Sequence, residues 1–469
     1  MKASAAYTIC SIMQRGLSVL TLPFFTRLLS TEEYGLQTVY QSTMALLIIF
    51  TSLQLPYGSF SSAMLRYEKD RDGYVAAIMG LCTMLTVLFC AFYLPFRPVW
   101  NRWLHLPDFL VIVMAFEMLA STCTSLWMAR ERFEYHYKTV VAVTLASSLL
   151  STALAFILVF RMSEKGQAKV LGHAVAVIGV GFAIYILYMI KGHHFYNKLY
   201  WKYALTFNIP LIPYYLSQMI FNHSDRLMID WFCGRGDAAK YGVAYSLAFL
   251  LTFVLNAINN SFVPWQYENI KRGEGIRNKS VANAIALLMA VLLLGLIALA
   301  PEIILIMGGA KYAEATWTVP PVTMSLLLLF YTQLFVNVIL YCEEKRYLVF
   351  GTFLPAITNI LLNYILIPAF GFTAAGYTTL LSYVLFAICN YFFMVRACKK
   401  HGISTEIYDY KALLLLMVAF MGAGFLLTAL YEHFVLRLGL IGIALFSAFV
   451  FRRKLNILRQ KRLNFHNRP

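Results

Sequence analysis

Apolar residues run through this chain in blocks of about twenty, and polar residues gather in short stretches between them. A block of that length, coiled at about 1.5 Å per residue, spans the roughly 30 Å of bilayer hydrocarbon. The pattern predicts fourteen spans, near 5–28, 35–62, 74–95, 109–129, 139–160, 170–190, 203–229, 241–263, 281–300, 318–342, 348–369, 373–395, 411–431 and 436–451. No connector is long enough to fold as a separate water-soluble domain. The first block begins near Ala5, is interrupted by Gln14 and Arg15 and continues past Pro23. It is too long and too interrupted for a cleavable leader, and reads as a retained first membrane helix.

Composition agrees with the pattern. Of 469 residues, 60% are hydrophobic and 13% charged, with mean hydropathy +0.67. Ordinary soluble domains carry about 45–50% apolar and about 25% charged residues. A soluble globular enzyme, a disordered chain and a fibrous protein are all excluded. The expected class is an all-α polytopic membrane protein.

The net charge of +17 raises nucleic acid as a partner, but its placement argues against one. With the N-terminus inside, 27 of the 39 Lys and Arg fall in inner segments and 11 in outer ones, with Arg15 inside the first span. That bias places both termini in the cytoplasm of a plasma membrane and favours an even number of spans. The bilayer, and no nucleic acid, is the expected surrounding. Cysteines lie mostly within or at the ends of spans, no metal spacing occurs, and His193-His194 reads as a solvated loop pair. No metal site is expected.

The chain also echoes itself. Thr26-Arg27-Leu28-Leu29 followed by Tyr34-Gly35-Leu36 returns as Asp225-Arg226-Leu227-Met228 followed by Tyr241-Gly242-Val243, and Leu171-Gly172 has a weaker counterpart in Ala375-Gly376. The offset is six spans, an even number, so the copies run in parallel. Two six-helix lobes flanking a cleft form the geometry of an alternating-access transporter. The expected division is residues 1–200, residues 201–398, and residues 399–469 with the last two spans and a basic tail.

Charges inside the bilayer are costly, about 2.5–3.5 kcal/mol on insertion scales, so each requires a reason. Arg15 lies near the middle of span one. Facing a wet cleft, its guanidinium would clamp a phosphate bidentately; the alternative is a structural pair with Glu117 in span four. Arg27 and Arg226 form either a charged rim or outer gate for an anionic ligand, or snorkelling interfacial residues, Arg226 with Asp225 as a local ion pair. Glu117 and Asp225 are the candidates for a coupling ion. Pro23 and Pro56 in the first half, and Pro210 and Pro213 in span seven, are expected kinks. Asn256, Asn259, Asn260, Asn359 and Asn363 read as helix-joining polar groups. No Walker loop, GxSxG, HExxH or acidic pair in a long loop appears, so no catalytic residue is expected.

These motifs resemble a known family. Arg27-Leu28-Leu29-Ser30-Thr31-Glu32-Glu33-Tyr34-Gly35 is similar to the segment joining the first two helices of bacterial polysaccharide flippases of the multidrug/oligosaccharidyl-lipid/polysaccharide superfamily. Pro210 to Pro213 with Asp225-Arg226 resembles their seventh helix. Pro301-Glu302-Ile303 with Lys311-Tyr312-Ala313-Glu314-Ala315 resembles an outer loop. Asn359-Ile360-Leu361-Leu362-Asn363 through Ile367-Pro368, Phe370-Gly371 and Ala374-Ala375-Gly376 resembles helices eleven and twelve, with Phe372-Thr373 replacing the usual glycine-bearing turn. The resemblance implies a fourteen-helix, V-shaped transporter that moves polyprenyl-pyrophosphate-linked oligosaccharide across the plasma membrane by alternating access. Capsule or O-antigen synthesis is the implied setting, with a polymerase and glycosyltransferases as pathway partners. It also implies Arg15 as the headgroup cation, with Arg27 and Arg226 behind it. No cofactor is expected; a proton or sodium gradient or the membrane potential would drive the cycle. The rivals are a cation-coupled drug or metabolite antiporter of the same superfamily, a membrane-embedded glycosyltransferase or polymerase, and a lipid scaffold without a transport cycle.

Overall fold

A computed structural model describes residues 2–439, which are helical almost throughout and contain no strand. The N-terminal half comprises α1 (Lys2–Leu28), α2 (Thr31–Ser52), α3 (Phe60–Arg66), α4 (Arg71–Tyr93), α5 (Arg97–Leu104), α6 (Asp108–Phe133), α7 (Tyr137–Arg161) and α8 (Lys165–Gly192). Next come α9 (Lys198–Asn208), α10 (Ile212–Cys233), α11 (Arg235–Phe249), α12 (Leu251–Lys271) and α13 (Arg277–Ala298). The chain continues through α14 (Ala300–Gly308), α15 (Val319–Tyr341), α16 (Lys345–Phe370), α17 (Ala374–Lys400) and α18 (Tyr410–Ala429).

Among the described residues, eleven helical stretches are long and apolar enough to cross a membrane. The expected spans at 35–62 and 203–229 do not meet that measure, because α2 and α9–α10 carry Gln, Asn, Ser, Thr and charged residues along their length. The expected span at 436–451 and the basic tail lie, beyond residue 439, outside the described residues. Each half is built around one deeply buried helix. In the N-terminal half α6 packs on α4, α8 and α2; in the C-terminal half α15 packs on α17, α13 and α11, and most of its side chains are enclosed.

Three expected continuous spans are interrupted. α2 ends at Ser52, where Leu53 and Gln54 both take left-handed backbone, so Pro56 lies in a turn rather than at a kink. Span seven breaks at Ile209–Leu211, and Pro213 opens α10 where its missing N–H costs no hydrogen bond. Span eight divides at Leu250. Pro23, by contrast, sits inside an unbroken α1. The first piece of span seven stays with the N-terminal half: Trp201 Nε1 donates to Ala77 O at 2.7 Å, Tyr200 Oη to Asp70 at 2.7 Å, and Asn208 Nδ2 to Ser59 Oγ at 2.8 Å.

The segment from Ser30 to Gly35 shows why its residue types occur together. Ser30 Oγ accepts the N–H of Glu33 at 3.1 Å, and the Glu33 carboxylate accepts the N–H of Ser30 at 2.7 Å, a reciprocal capping box that fixes the start of α2. Glu32 Oε1 accepts the N–H of Gly236 at 3.1 Å, tying α2 to the start of α11. Gly35 is buried against the carbonyl of Arg235, and a Cβ there would collide with that backbone. Gly35→Val should therefore push α2 off α11. The cost of such overpacking is about 1–3 kcal/mol. A fall of several degrees in the thermal midpoint of the purified chain, greater than for Gly16→Val in open surroundings, is the expected reading.

Candidate functional site

The two halves meet mainly at one end, where α1 stops and α2 begins. Thr26 Oγ1 donates to Met307 O at 2.6 Å and Arg27 Nη2 to Ile306 O at 3.3 Å, so α1 caps carbonyls at the end of α14. The Lys311 ammonium returns the gesture on Leu29 O. Nearby, His105 Nδ1 lies 2.8 Å from Asp230 Oδ2, Trp231 Nε1 donates to Trp103 O at 2.9 Å, and Arg235 donates to His105 O. Among the described residues, every hydrogen bond between residues 1–197 and residues 212–439 lies at this seam. Orphan carbonyls at helix C-termini accept cations well. Beside these polar contacts α2 packs on α10 and α11, with Leu36, Val39, Tyr40, Ile229 and Tyr241 buried in one apolar cluster that spans both halves.

Away from the seam, Arg15 is exposed, its guanidinium 4.7 Å from the ring centroid of Phe253 on α12. It does not pair with Glu117. That carboxylate is enclosed (1% exposed), accepts from Tyr40 Oη at 2.7 Å and lies 3.5 Å from His173 Nε2. The expected structural pair is thus absent, because α1 and α6 present the two side chains to different neighbours. Beside Phe253, α12 exposes Asn256 and Asn260, while Asn259 accepts from Asn337 at 2.9 Å. An arginine from one half and amides from the other therefore line the same interval.

Asp225 and Arg226 likewise turn apart rather than pairing. The Asp225 carboxylate, 1% exposed, accepts from Tyr241 Oη at 2.6 Å, Asn363 Nδ2 at 2.6 Å and Thr379 Oγ1 at 2.8 Å. Four helices, α10, α11, α16 and α17, meet on this group. Asn359, one turn from Asn363, accepts its amide at 3.2 Å, which explains the i, i+4 spacing of the two asparagines. Arg226 instead donates to Asn222 O at 3.0 Å and sits 4.2 Å from the Tyr245 ring centroid. None of the three expected arginines, Arg15, Arg27 and Arg226, has a carboxylate within ion-pair distance among the described residues.

Sequence reasoning missed Lys169. Only 6% exposed, its ammonium lies 3.8 Å from the Tyr34 ring centroid and 4.3 Å from that of Phe25. Its position at the border of an apolar block gave it the look of a connector charge. The Tyr40–Glu117–His173 group was also only partly foreseen, since its three members come from three helices distant in sequence.

The sequence profile described as "Polysaccharide biosynthesis protein" matches residues 1–269. A Haemophilus influenzae protein described as an uncharacterized membrane protein is 23% identical over 292 residues, which is 58% of this chain and 66% of that relative. The chain thus spans just under two thirds of that relative's length. Among solved structures, the lipid II flippase MurJ in an inward closed conformation superposes with a TM-score of 0.70, covering 97% of this chain and 99% of that one at 14% identity. An inward-facing multidrug resistance MATE family transporter of the MOP superfamily superposes with a TM-score of 0.65, covering 84% and 95% at 12% identity. At these identities the likeness is one of fold.

The Asp225 cluster makes a stability prediction. Asp225→Ala strands three buried donors, each costing about 1–3 kcal/mol when unsatisfied. Asp225→Asn keeps most of the shape and part of the hydrogen bonding. Thermal unfolding of the purified protein should show a much larger loss for Asp225→Ala than for Arg226→Ala, with Asp225→Asn between them.

Proposed function

The chain belongs to the polysaccharide biosynthesis protein family, and from that premise we propose that it is a flippase for polyprenyl-pyrophosphate-linked oligosaccharide. The observation that carries this reading is Arg15: a guanidinium in the middle of a membrane helix, with no carboxylate within ion-pair distance among the described residues, facing the other half of the molecule across Phe253. A drug-cation antiporter would need anionic groups there. A diphosphate needs a cation that can offer two parallel N–H donors.

The physical task is to take a hydrated, anionic headgroup past hydrocarbon while its lipid tail stays in the bilayer. Arg15, with the exposed Asn256 and Asn260 opposite, replaces part of the headgroup's hydration. Arg226, held over the Tyr245 ring one turn before Asp230, is a second cation, and Arg27 belongs to the seam rather than to the headgroup path. Opening the seam would switch the cleft from one side of the membrane to the other. With the termini in the cytoplasm of the plasma membrane, the seam faces outward, and the arrangement described above is closed to the outside. The product would feed surface polysaccharide such as capsule or O-antigen, downstream of the glycosyltransferases and upstream of the polymerase.

Energy for the cycle comes in this reading from an ion gradient or the membrane potential. Glu117 in one half and Asp225 in the other are the most enclosed carboxylates among the described residues, each 1% exposed, and neither has a lysine or arginine within ion-pair distance there. A proton or a sodium ion arriving at either would change the charge of that half.

Two tests follow. In cells lacking the gene, leaflet-resolved mass spectrometry should find completed lipid-linked repeat units held on the inner leaflet, and the restored gene should release them. Arg15→Ala should lower that release by about tenfold or more, the equivalent of one charge-assisted contact, with Arg15→Lys intermediate. Release at the native rate by Arg15→Ala would remove the headgroup role. For the switching step, Trp103→Cys with Trp231→Cys joins exposed rings whose centroids are 5.1 Å apart across the seam. A short reducible cross-linker should stop export, and reductant should restore it. Continued export by the cross-linked protein would rule out alternating access through this seam.

A further inference from the structure

At the seam lies a cavity of about 730 Å³, open to the surface, with walls from both halves. Glu32, His105 and Gln167 come from the N-terminal half; Asp230 and Arg235 come from the C-terminal half. Asp230 is only 4% exposed. One of its oxygens, Oδ2, is engaged by His105, whereas the other, Oδ1, has no hydrogen-bond partner among the described residues. A buried carboxylate oxygen left without a donor is costly, and such a group in a cavity wall marks where an occupant's donor belongs.

The remaining wall specifies the occupant's chemistry. Glu32 commits Oε1 to Gly236, leaving Oε2 for another donor. Gln167 makes no side-chain hydrogen bond among the described residues and offers both an acceptor and a donor. Arg235 sets a positive charge beside the two carboxylates, so the cavity has no strong excess of one sign. Flanking it, the indoles of Trp103 and Trp231 are exposed and tilted at 51° to each other. Acceptors spaced around a roomy, mixed-charge cavity, next to exposed aromatic faces, suit a ligand dense in hydroxyl groups with apolar ring faces. A cation alone would find Arg235 in its way, and an anion would meet Glu32 and Asp230.

We propose that this cavity is a saccharide subsite on the export side, separate from the headgroup cleft around Arg15. The sugar comes from one of two sources: the glycan of the carried lipid after translocation, or free surface saccharide. The first source rests on the flippase reading; the cavity itself does not. Because its walls come from both halves, the site exists only while the seam is closed. A bound saccharide therefore stabilises the closed seam and slows its opening, by the ordinary rule that a ligand favours the state that binds it. Saturable inhibition of export by its own sugar is the consequence.

The test uses the full chain in lipid nanodiscs. Neutral hexoses, deoxyhexoses, N-acetylhexosamines and uronic acids, as mono- and disaccharides, are titrated while tryptophan fluorescence is followed. A lipid-linked pyrophosphate glycan is titrated in parallel. At least one free or lipid-linked sugar should bind saturably, and Gln167→Ala should weaken it about tenfold, the effect of one lost hydrogen bond. Gln167 takes no part in the seam hydrogen bonds, so this variant leaves the closed arrangement intact; Asp230→Asn serves as the second variant. Binding by free sugar assigns the ligand to the surface saccharide, and binding by the lipid-linked form alone assigns it to the cargo. No binding across the panel, or binding unchanged in both variants, overturns the proposal. Saccharide binding retained with no affinity for the pyrophosphate headgroup would instead sink the flippase reading and leave the cavity standing.

Discussion

A polar group that crosses hydrocarbon must bring its partners with it, because no water waits there to replace them. Asp225 shows the constraint at its strictest. Its carboxylate is served by a tyrosine, an asparagine and a threonine from three other helices, and those four helices have their relative positions set by that requirement. Oδ1 depends on Asn363 alone, whereas Oδ2 is shared by Tyr241 and Thr379, so replacing the asparagine leaves a buried oxygen unanswered. The C-terminal half is therefore held by a polar centre as well as by its apolar packing around α15. The N-terminal half uses a smaller version, with Tyr40 and His173 on Glu117.

Between the halves the same constraint is met differently. The contacts there use backbone carbonyls at helix ends, capped by Thr26, Arg27 and Lys311, together with one His–Asp pair. Such groups are equally content in water. When the seam parts, the carbonyls and ammonium groups exchange each other for solvent at little net cost, since a typical hydrogen bond contributes only about 0.5–1.5 kcal/mol net. The seam also buries apolar side chains of α2, Leu36 and Val39 among them, against α10 and α11, so its polar contacts are the exchangeable part and this apolar face is what resists its parting.

Much of this was legible in the sequence, and what was not has a physical reason. Hydropathy exposed the helices because a lipid-facing surface tolerates few polar residues over a whole span. It did not expose the breaks at Leu53-Gln54 and Leu250, because neither carries a glycine or proline: Leu53 and Gln54 take a left-handed backbone uncommon for such residues, and Leu250 keeps right-handed angles. Arg15, Glu117, Asp225 and Arg226 were recognisable as unusual residues, since charge in an apolar block needs no alignment to notice. Their partners were not recognisable. Arg15 with Glu117, and Asp225 with Arg226, are the pairs that charge alone suggests. Both fail because pairing depends on the rotation of each helix about its axis, and neighbouring residues such as 225 and 226 point about 100° apart. Lys169 escaped notice for the converse reason: its partners are ring faces, which carry no formal charge to look for.

The echo between the two halves shows how one segment was turned to two uses. Thr26-Arg27 and Asp225-Arg226 occupy matching places in the repeated pattern, yet their contacts run in opposite directions. Thr26 and Arg27 reach out of their half to the carbonyls of α14, whereas Asp225 turns inward to its own helices and Arg226 stays with Asn222 and Tyr245. The paired tyrosines diverge in the same way: Tyr241 offers its hydroxyl to Asp225, and Tyr34 offers its ring face to Lys169. A threonine suits the outward role because its hydroxyl can donate to a carbonyl and later to water. An aspartate in that place would bring two acceptors against an acceptor, and the seam would lose its closing contact. The difference of one side chain at the matched position thus decides whether the segment binds a half together or joins the two halves reversibly.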